Sequence, residues 1–137
     1  MLATSRRSFL AILAVFSSGR AGAAPDAWHA RFVDAAFKMK QEAVTAGDQA
    51  YGAVVVRAGE IVGFGPSRVI VKKDTTAHAE REAIRDAQTR LGRTDLSGCV
   101  MYSTSRPCSD CERAAAKTRI GWMFFGPDAI DAGAPHD

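Results

Sequence analysis

The sequence predicts one α/β domain in three layers, a mixed β-sheet of about four strands with helices on both faces. Three observations predict it. Helical and strand patterns follow one another in the order α-β-β-α-β-α-β. The first two strands are joined by a short Gly-containing turn and read as a hairpin. Each later strand is reached through a helix, and such crossovers give a sheet that is only partly antiparallel. At 137 residues the chain suffices for one compact core and not two.

The elements are justified in turn. Between Asp26 and Ala46, Trp28, Phe32, Ala36, Met39 and Ala43 recur at spacings of three and four, the stripe of an amphipathic helix. Asp26 follows Pro25 as an N-cap, and Gly47 is a C-terminal stop. Tyr51–Arg57 carries the β-branched run Val54-Val55-Val56 and reads as a strand. Ala58-Gly59-Glu60 turns the chain, and Ile61–Gly65 returns it. Residues 66–77 are polar and irregular, a loop. His78–Leu91 is a helix with Ala79, Ala83, Ile84, Ala87 and Leu91 on its apolar face, ended by Gly92. Cys99–Thr104 is the third strand, Cys108–Thr118 the third helix and Trp122–Phe125 the fourth strand. The Gly-, Ala-, Asp- and Pro-containing residues 127–137 read as a tail, so the domain runs over 24–126.

Residues 1–23 read as a removable leader. Ser5-Arg6-Arg7-Ser8-Phe9-Leu10 has the twin-arginine pattern, Phe9–Phe16 is a short apolar segment, and Ala21-Gly22-Ala23 is a cleavage site. The expected location is periplasmic or extracellular. The apolar run is far shorter than the roughly 18–20 residues that span a bilayer, so no membrane span is expected in the mature form. The leader also explains the charge. The chain has 18 Lys and Arg against 15 Asp and Glu, and Arg6, Arg7 and Arg20 are the excess. A balanced mature domain lacks the basic stripe that binds duplex nucleic acid. Arg68, Lys72, Lys73 and Arg106 read as a solvated loop face, with a phosphate-binding patch as the alternative.

There are three cysteines, an odd number that argues against a disulfide framework. Cys99, inside Cys99-Val100-Met101-Tyr102, reads as a small buried hydrophobe. Cys108 and Cys111 form a C-x-x-C pair, which in an oxidising compartment could close. The twin-arginine route exports folded proteins, so a metal loaded in the cytoplasm would mask both thiolates beforehand.

The chemistry lies in two strings, His78-Ala79-Glu80 and Pro107-Cys108-Ser109-Asp110-Cys111. One imidazole and two thiolates make a three-ligand zinc site with its fourth position open. Residues i and i+2 of a regular helix point apart, so His78 and Glu80 converge only at a helix start. Cys108, after Pro107, also opens a helix, where unpaired N–H groups favour a thiolate. Zinc lowers the pKa of its water to about 7, and Glu80 beside it is placed to shuttle a proton. Hydroxide attack on an electron-poor C=N carbon followed by loss of the amino group is hydrolytic deamination.

These residues match the H-x-E … P-C-x-x-C pattern of the zinc nucleobase deaminases. The chain resembles the cytidine/deoxycytidylate deaminase-like superfamily, and within it the subgroup of guanine, cytosine and tRNA adenosine deaminases. Tyr51-Gly52-Ala53-Val54-Val55-Val56, Thr76-Ala77-His78-Ala79-Glu80, Asp95-Leu96-Ser97-Gly98-Cys99 and Arg119-Ile120-Gly121 resemble the surrounding segments. The resemblance runs from about Trp28 to Gly126. It implies a cytidine-deaminase-like α/β/α fold, one Zn²⁺ on His78, Cys108 and Cys111, and Glu80 as the catalytic proton carrier. It implies a base, nucleoside or nucleotide substrate touched by Ala53 and Ser67, and it is compatible with a homodimer. Three departures accompany it. Ser105 and Arg106 replace the subgroup's Cys-Glu before Pro-Cys, Ser67 stands where an Asn is usual, and the C-terminal end is short. The alternatives are a zinc-binding relative that has lost catalysis and a C-x-x-C redox module. Export argues against tRNA as the substrate.

Overall fold

A computed structural model describes residues 26–137; the leader, assigned to residues 1–23, lies outside the described residues. The order is α1 (Ala27–Thr45), β1 (Gly52–Arg57), β2 (Glu60–Pro66), α2 (Ala79–Leu91), β3 (Cys99–Ser103), α3 (Ser109–Lys117), β4 (Trp122–Phe125) and β5 (Ile130–Gly133). No helix among the described residues is long and apolar enough to cross a membrane.

The sheet runs β2-β1-β3-β4-β5. β1 is antiparallel to β2 and to β3, β3 is parallel to β4, and β5 returns antiparallel on β4. The mixed sheet is as expected, with one strand more. Residues 127–137, expected as a tail, contain β5, where Ile130 pairs with Phe125 and Asp131 with Phe124. Gly126 and Ala129 take left-handed conformations in the turn, and the Trp122 indole N–H donates to Asp131 Oδ1 at 2.6 Å. Ile130 is the segment's lone β-branched residue among Asp, Ala, Gly and Pro, so intrinsic strand preference is weak there. Pairing with β4 supplies what propensity does not.

Alternation along the strands separates the two faces. Val54, Val56 and Tyr102 face α1, where Phe32, Val33, Ala36 and Met39 meet them. Ala53, Val55, Met101, Cys99 and Met123 face α2 and α3. Fully burying Phe32 and Tyr102 contributes about 1.5–3 kcal/mol for each apolar ring. Trp28 departs from the expected stripe. It is 56 % exposed at the start of α1 and packs edge-on against Phe32.

Both helix layers lie very close to the sheet. A Cβ built on Gly52 would stand 2.2 Å from Ala36 O of α1. One on Gly65 would stand 2.0 Å from Ala79 O and 2.5 Å from Ala83 N of α2. Glycine is required at both positions because helix backbone occupies the space of a side chain.

One edge of this assembly collects the chemistry. Because β1 is antiparallel to both neighbours, its start lies beside the ends of β2 and β3, with Gly52 opposite Pro66 and Ala53 opposite Ser103. Ser67 N–H donates to Tyr51 O at 3.1 Å and Thr104 N–H to Gly52 O at 2.9 Å, extending both ladders. The N-termini of α2 and α3 reach the same edge.

Candidate active site

His78 and Cys108 are the N-cap residues of α2 and α3, each in extended backbone one residue before its helix. The sequence patterns begin the helices at these residues; the structure makes them caps, which frees their side chains to turn toward each other. His78 Nδ1 lies 3.4 Å from Cys111 Sγ and 3.7 Å from Cys108 Sγ, and the two sulfurs are 3.3 Å apart. Cys108 and Cys111 are free thiols, as is the buried Cys99.

These separations fit a metal. Bond lengths of about 2.0–2.3 Å to N and S give tetrahedral edges of about 3.3–3.8 Å. The donor chemistry agrees. Burial pushes the Cys111 thiol far up, and the Glu80 carboxylate and Cys108 add to the shift. A buried thiolate beside a carboxylate is stable only with a cation between them. His78, Cys108 and Cys111 are therefore the residues that would hold one zinc ion, and they are the group of this kind found among the described residues.

Glu80 follows one turn-start later and is only 6 % exposed. Burial raises its pKa, opposed by the Cys111 thiol, its own backbone N–H and the His78 charge. It lines a cavity of about 360 Å³ with His78, Ala79 and Cys108. This is within the range of about 300–1,000 Å³ usual for small-molecule sites. Gln49, Tyr51 and Ser67 form a second wall, and Ser105 and Arg106 a third. Of the two residues expected to touch a base, Ser67 lines the cavity. Ala53 does not: it is fully buried among core residues facing α2. The wall at that strand is made by Tyr51 and Gln49, upstream of β1.

Asp48 belongs to no sequence motif, yet it organises this wall. Its Oδ1 accepts from Gln49 N–H at 2.8 Å and from the Ser67 hydroxyl at 2.9 Å. Its Oδ2 accepts from the N–H groups of Ile70 at 3.0 Å and Val71 at 2.8 Å. One carboxylate thus fixes the wall residue Ser67 and folds the loop after β2. Burial pushes the Asp48 pKa up, but the bonds from Val71, Gln49, Ser67 and Ile70 outweigh it and hold the group below its usual value. Such a group adds stability above the unfolded-state pKa and loses it as pH falls through the folded one. Asp48→Asn is expected to cost about 1–3 kcal/mol at neutral pH. Urea melts of both proteins should show the gap closing on acidification; a gap independent of pH would mean that the charge contributes nothing.

Residues 26–127 match the family model described as the cytidine and deoxycytidylate deaminase zinc-binding region. The chain belongs to this family. The chain is 36 % identical over 105 residues to guanine deaminase of Bacillus subtilis, covering 76 % of this chain and 67 % of that protein. It is 37 % identical over 94 residues to tRNA-specific adenosine deaminase of Aquifex aeolicus, covering 69 % of this chain and 62 % of the relative. The solved structure of the B. subtilis guanine deaminase superposes with a TM-score of 0.69 at 36 % identity, over 72 % of this chain and 63 % of that one. The chain thus spans about two thirds of the length of these deaminase-family relatives. Ser67, Ser105 and Arg106, the three residues at which a departure was expected, all line the cavity, and the Ser105 carbonyl accepts from the Ser103 hydroxyl at 2.8 Å.

Proposed function

We propose that this protein is a zinc-dependent hydrolase of C–N bonds in cyclic amidines, deaminating a nucleobase that is free or part of a nucleoside or nucleotide. The observation that carries the reading is the meeting of His78, Cys108, Cys111 and buried Glu80 at one cavity of small-molecule size. Relatives named guanine deaminase and tRNA-specific adenosine deaminase support it.

When bound, zinc supplies Lewis acidity that makes water nucleophilic at neutral pH. The rest falls to the chain. Glu80 takes the proton that the attacking water gives up and delivers it to the ring nitrogen beside the carbon under attack. The hydroxyl now on that carbon gives its proton to the same carboxylate, which passes it to the amino group; the carbonyl forms as the C–N bond breaks and ammonia leaves. Burial of Glu80 suits the first of these transfers, since a carboxylate whose pKa is raised takes a proton from water more readily than it would in bulk solvent. Tyr51, Gln49 and Ser67 bound the space for the ring. Ammonia release should be screened over cytosine, guanine, adenine and their nucleosides and nucleotides, with the zinc-loaded protein against Glu80→Gln. Equal rates on every compound would favour a zinc-binding relative without catalysis.

Export by the twin-arginine route, to the periplasm or the exterior, is part of the same proposal, supported by Ser5-Arg6-Arg7 and the Ala21-Gly22-Ala23 site. Replacing Arg6 and Arg7 together by Lys should retain the protein in the cytoplasm on cell fractionation. An unchanged distribution would remove the export reading.

A further inference from the structure

The four basic residues that read as one loop face do not all line one cavity. Arg68 and Lys72 line a separate groove, bounded by β2 and α2 and reaching Met39 of α1. Lys72 there is paired with the buried Glu82 at 2.7 Å. Arg106 lies on the wall of the zinc cavity, in the connection between β3 and α3. It is the sole Lys or Arg among that cavity's described lining residues.

Its surroundings leave its charge available. The guanidinium lies over the Phe125 ring, 5.0 Å from the centroid, a platform that limits its conformations without using its N–H groups. Among the described residues it forms no ion pair. Asp110, the nearest acid along the chain, faces Arg113 at 3.5 Å instead. The charge balance of the cavity points the same way. Two thiolates offset the two charges of zinc, and Glu80 is buried at the inner end. Arg106 is exposed, two residues before the ligand Cys108, so the cavity's cationic side chain stands at the mouth and its carboxylate at the inner end. A guanidinium fork held beside an opening suits a phosphate, which it can engage through two parallel hydrogen bonds.

We propose that Arg106 is a specificity-determining residue that binds the phosphate of a nucleoside monophosphate at the mouth of the cavity, while the base occupies the zinc end. The inference rests on the deaminase reading of the cavity and names the substrate class within it.

Equilibrium binding separates the two ideas. The probes are the pairs cytidine and CMP, guanosine and GMP, adenosine and AMP, added to zinc-loaded Glu80→Gln protein, in which turnover is suppressed. For at least one pair the monophosphate should bind about tenfold more tightly at low salt, and the advantage should shrink as salt rises. Arg106→Ala should bring the ratio close to one, Arg106→Lys should keep part of it, and Arg106→Glu should reverse it. An advantage that survives Arg106→Ala, or none in any pair, overturns the proposal. Wild-type turnover of the same compounds tests the deaminase reading independently. Ammonia release with no preference for a monophosphate would overturn the Arg106 assignment alone. Arg106-dependent binding with no ammonia from any compound would overturn the deaminase reading alone.

Discussion

Glu80→Gln is expected to lower deaminase turnover by about 10²–10⁴-fold while zinc content stays near one per chain. The two side chains have the same shape, so the cavity is preserved and only proton transfer is lost. Glu80 is not among the three donors that group together, so its removal should not release the metal. The loss should fall on kcat more than on KM, because the carboxylate acts on protons that move only during reaction. Thermal stability should hold or rise, since an amide in this buried position avoids the cost of desolvating a charge. Steady-state kinetics, metal analysis and a melting curve on the same preparations check all three statements. Zinc loss on substitution would instead make Glu80 part of the metal's support, and unchanged kcat would remove it from the reaction.

The second large effect is structural. Gly65→Ala is expected to destabilise the fold by about 3 kcal/mol, lowering the melting temperature by on the order of 10 °C. The added methyl would meet backbone atoms of α2 at 2.0 and 2.5 Å, and backbone cannot swing aside as a long side chain can. The strain reaches the site directly. Ala79, whose carbonyl would be struck, lies between His78 and Glu80, so any outward shift of α2 carries a ligand and the proton carrier with it. Zinc affinity should fall together with stability. Gly92→Ala is the control. Gly92 is the left-handed cap of the same helix, and an added Cβ would touch nothing within 4 Å. Its cost should be limited to backbone conformation, about 1 kcal/mol. If Gly65→Ala were no more damaging than Gly92→Ala, the close approach of α2 would have no energetic weight.

Much of this architecture could be read from the chain because the signals were local. Helical spacing of apolar residues, the run Val54-Val55-Val56 and the turn after it revealed most of the three helices and four strands, and the spacing of His78 with Glu80 demanded a helix start, where α2 begins. The parts that escaped depend on distant pairing. β5 has little strand preference of its own and is held by β4. Gln49 and Tyr51 become a cavity wall only because β1 runs antiparallel to both β2 and β3, an order no local pattern states. Asp48 finds three of its four partners 19 to 23 residues downstream, two of them backbone N–H groups that leave no mark in composition. Ala53 shows a further limit of motif reading: its place in a motif suggested a base contact, while strand alternation sets its side chain in the core under α2.

The ligands also have a mechanical meaning. His78 and Cys108 are 30 residues apart, and between them lie the whole of α2 and β3. An ion held by both is a cross-link that closes this length of chain into a loop. It reduces the freedom of the unfolded chain and couples metal occupancy to folding free energy. Metal supply would then set how long each copy survives proteolysis as well as whether it is competent to react, and the pool of folded protein would track the zinc available where the chain matures.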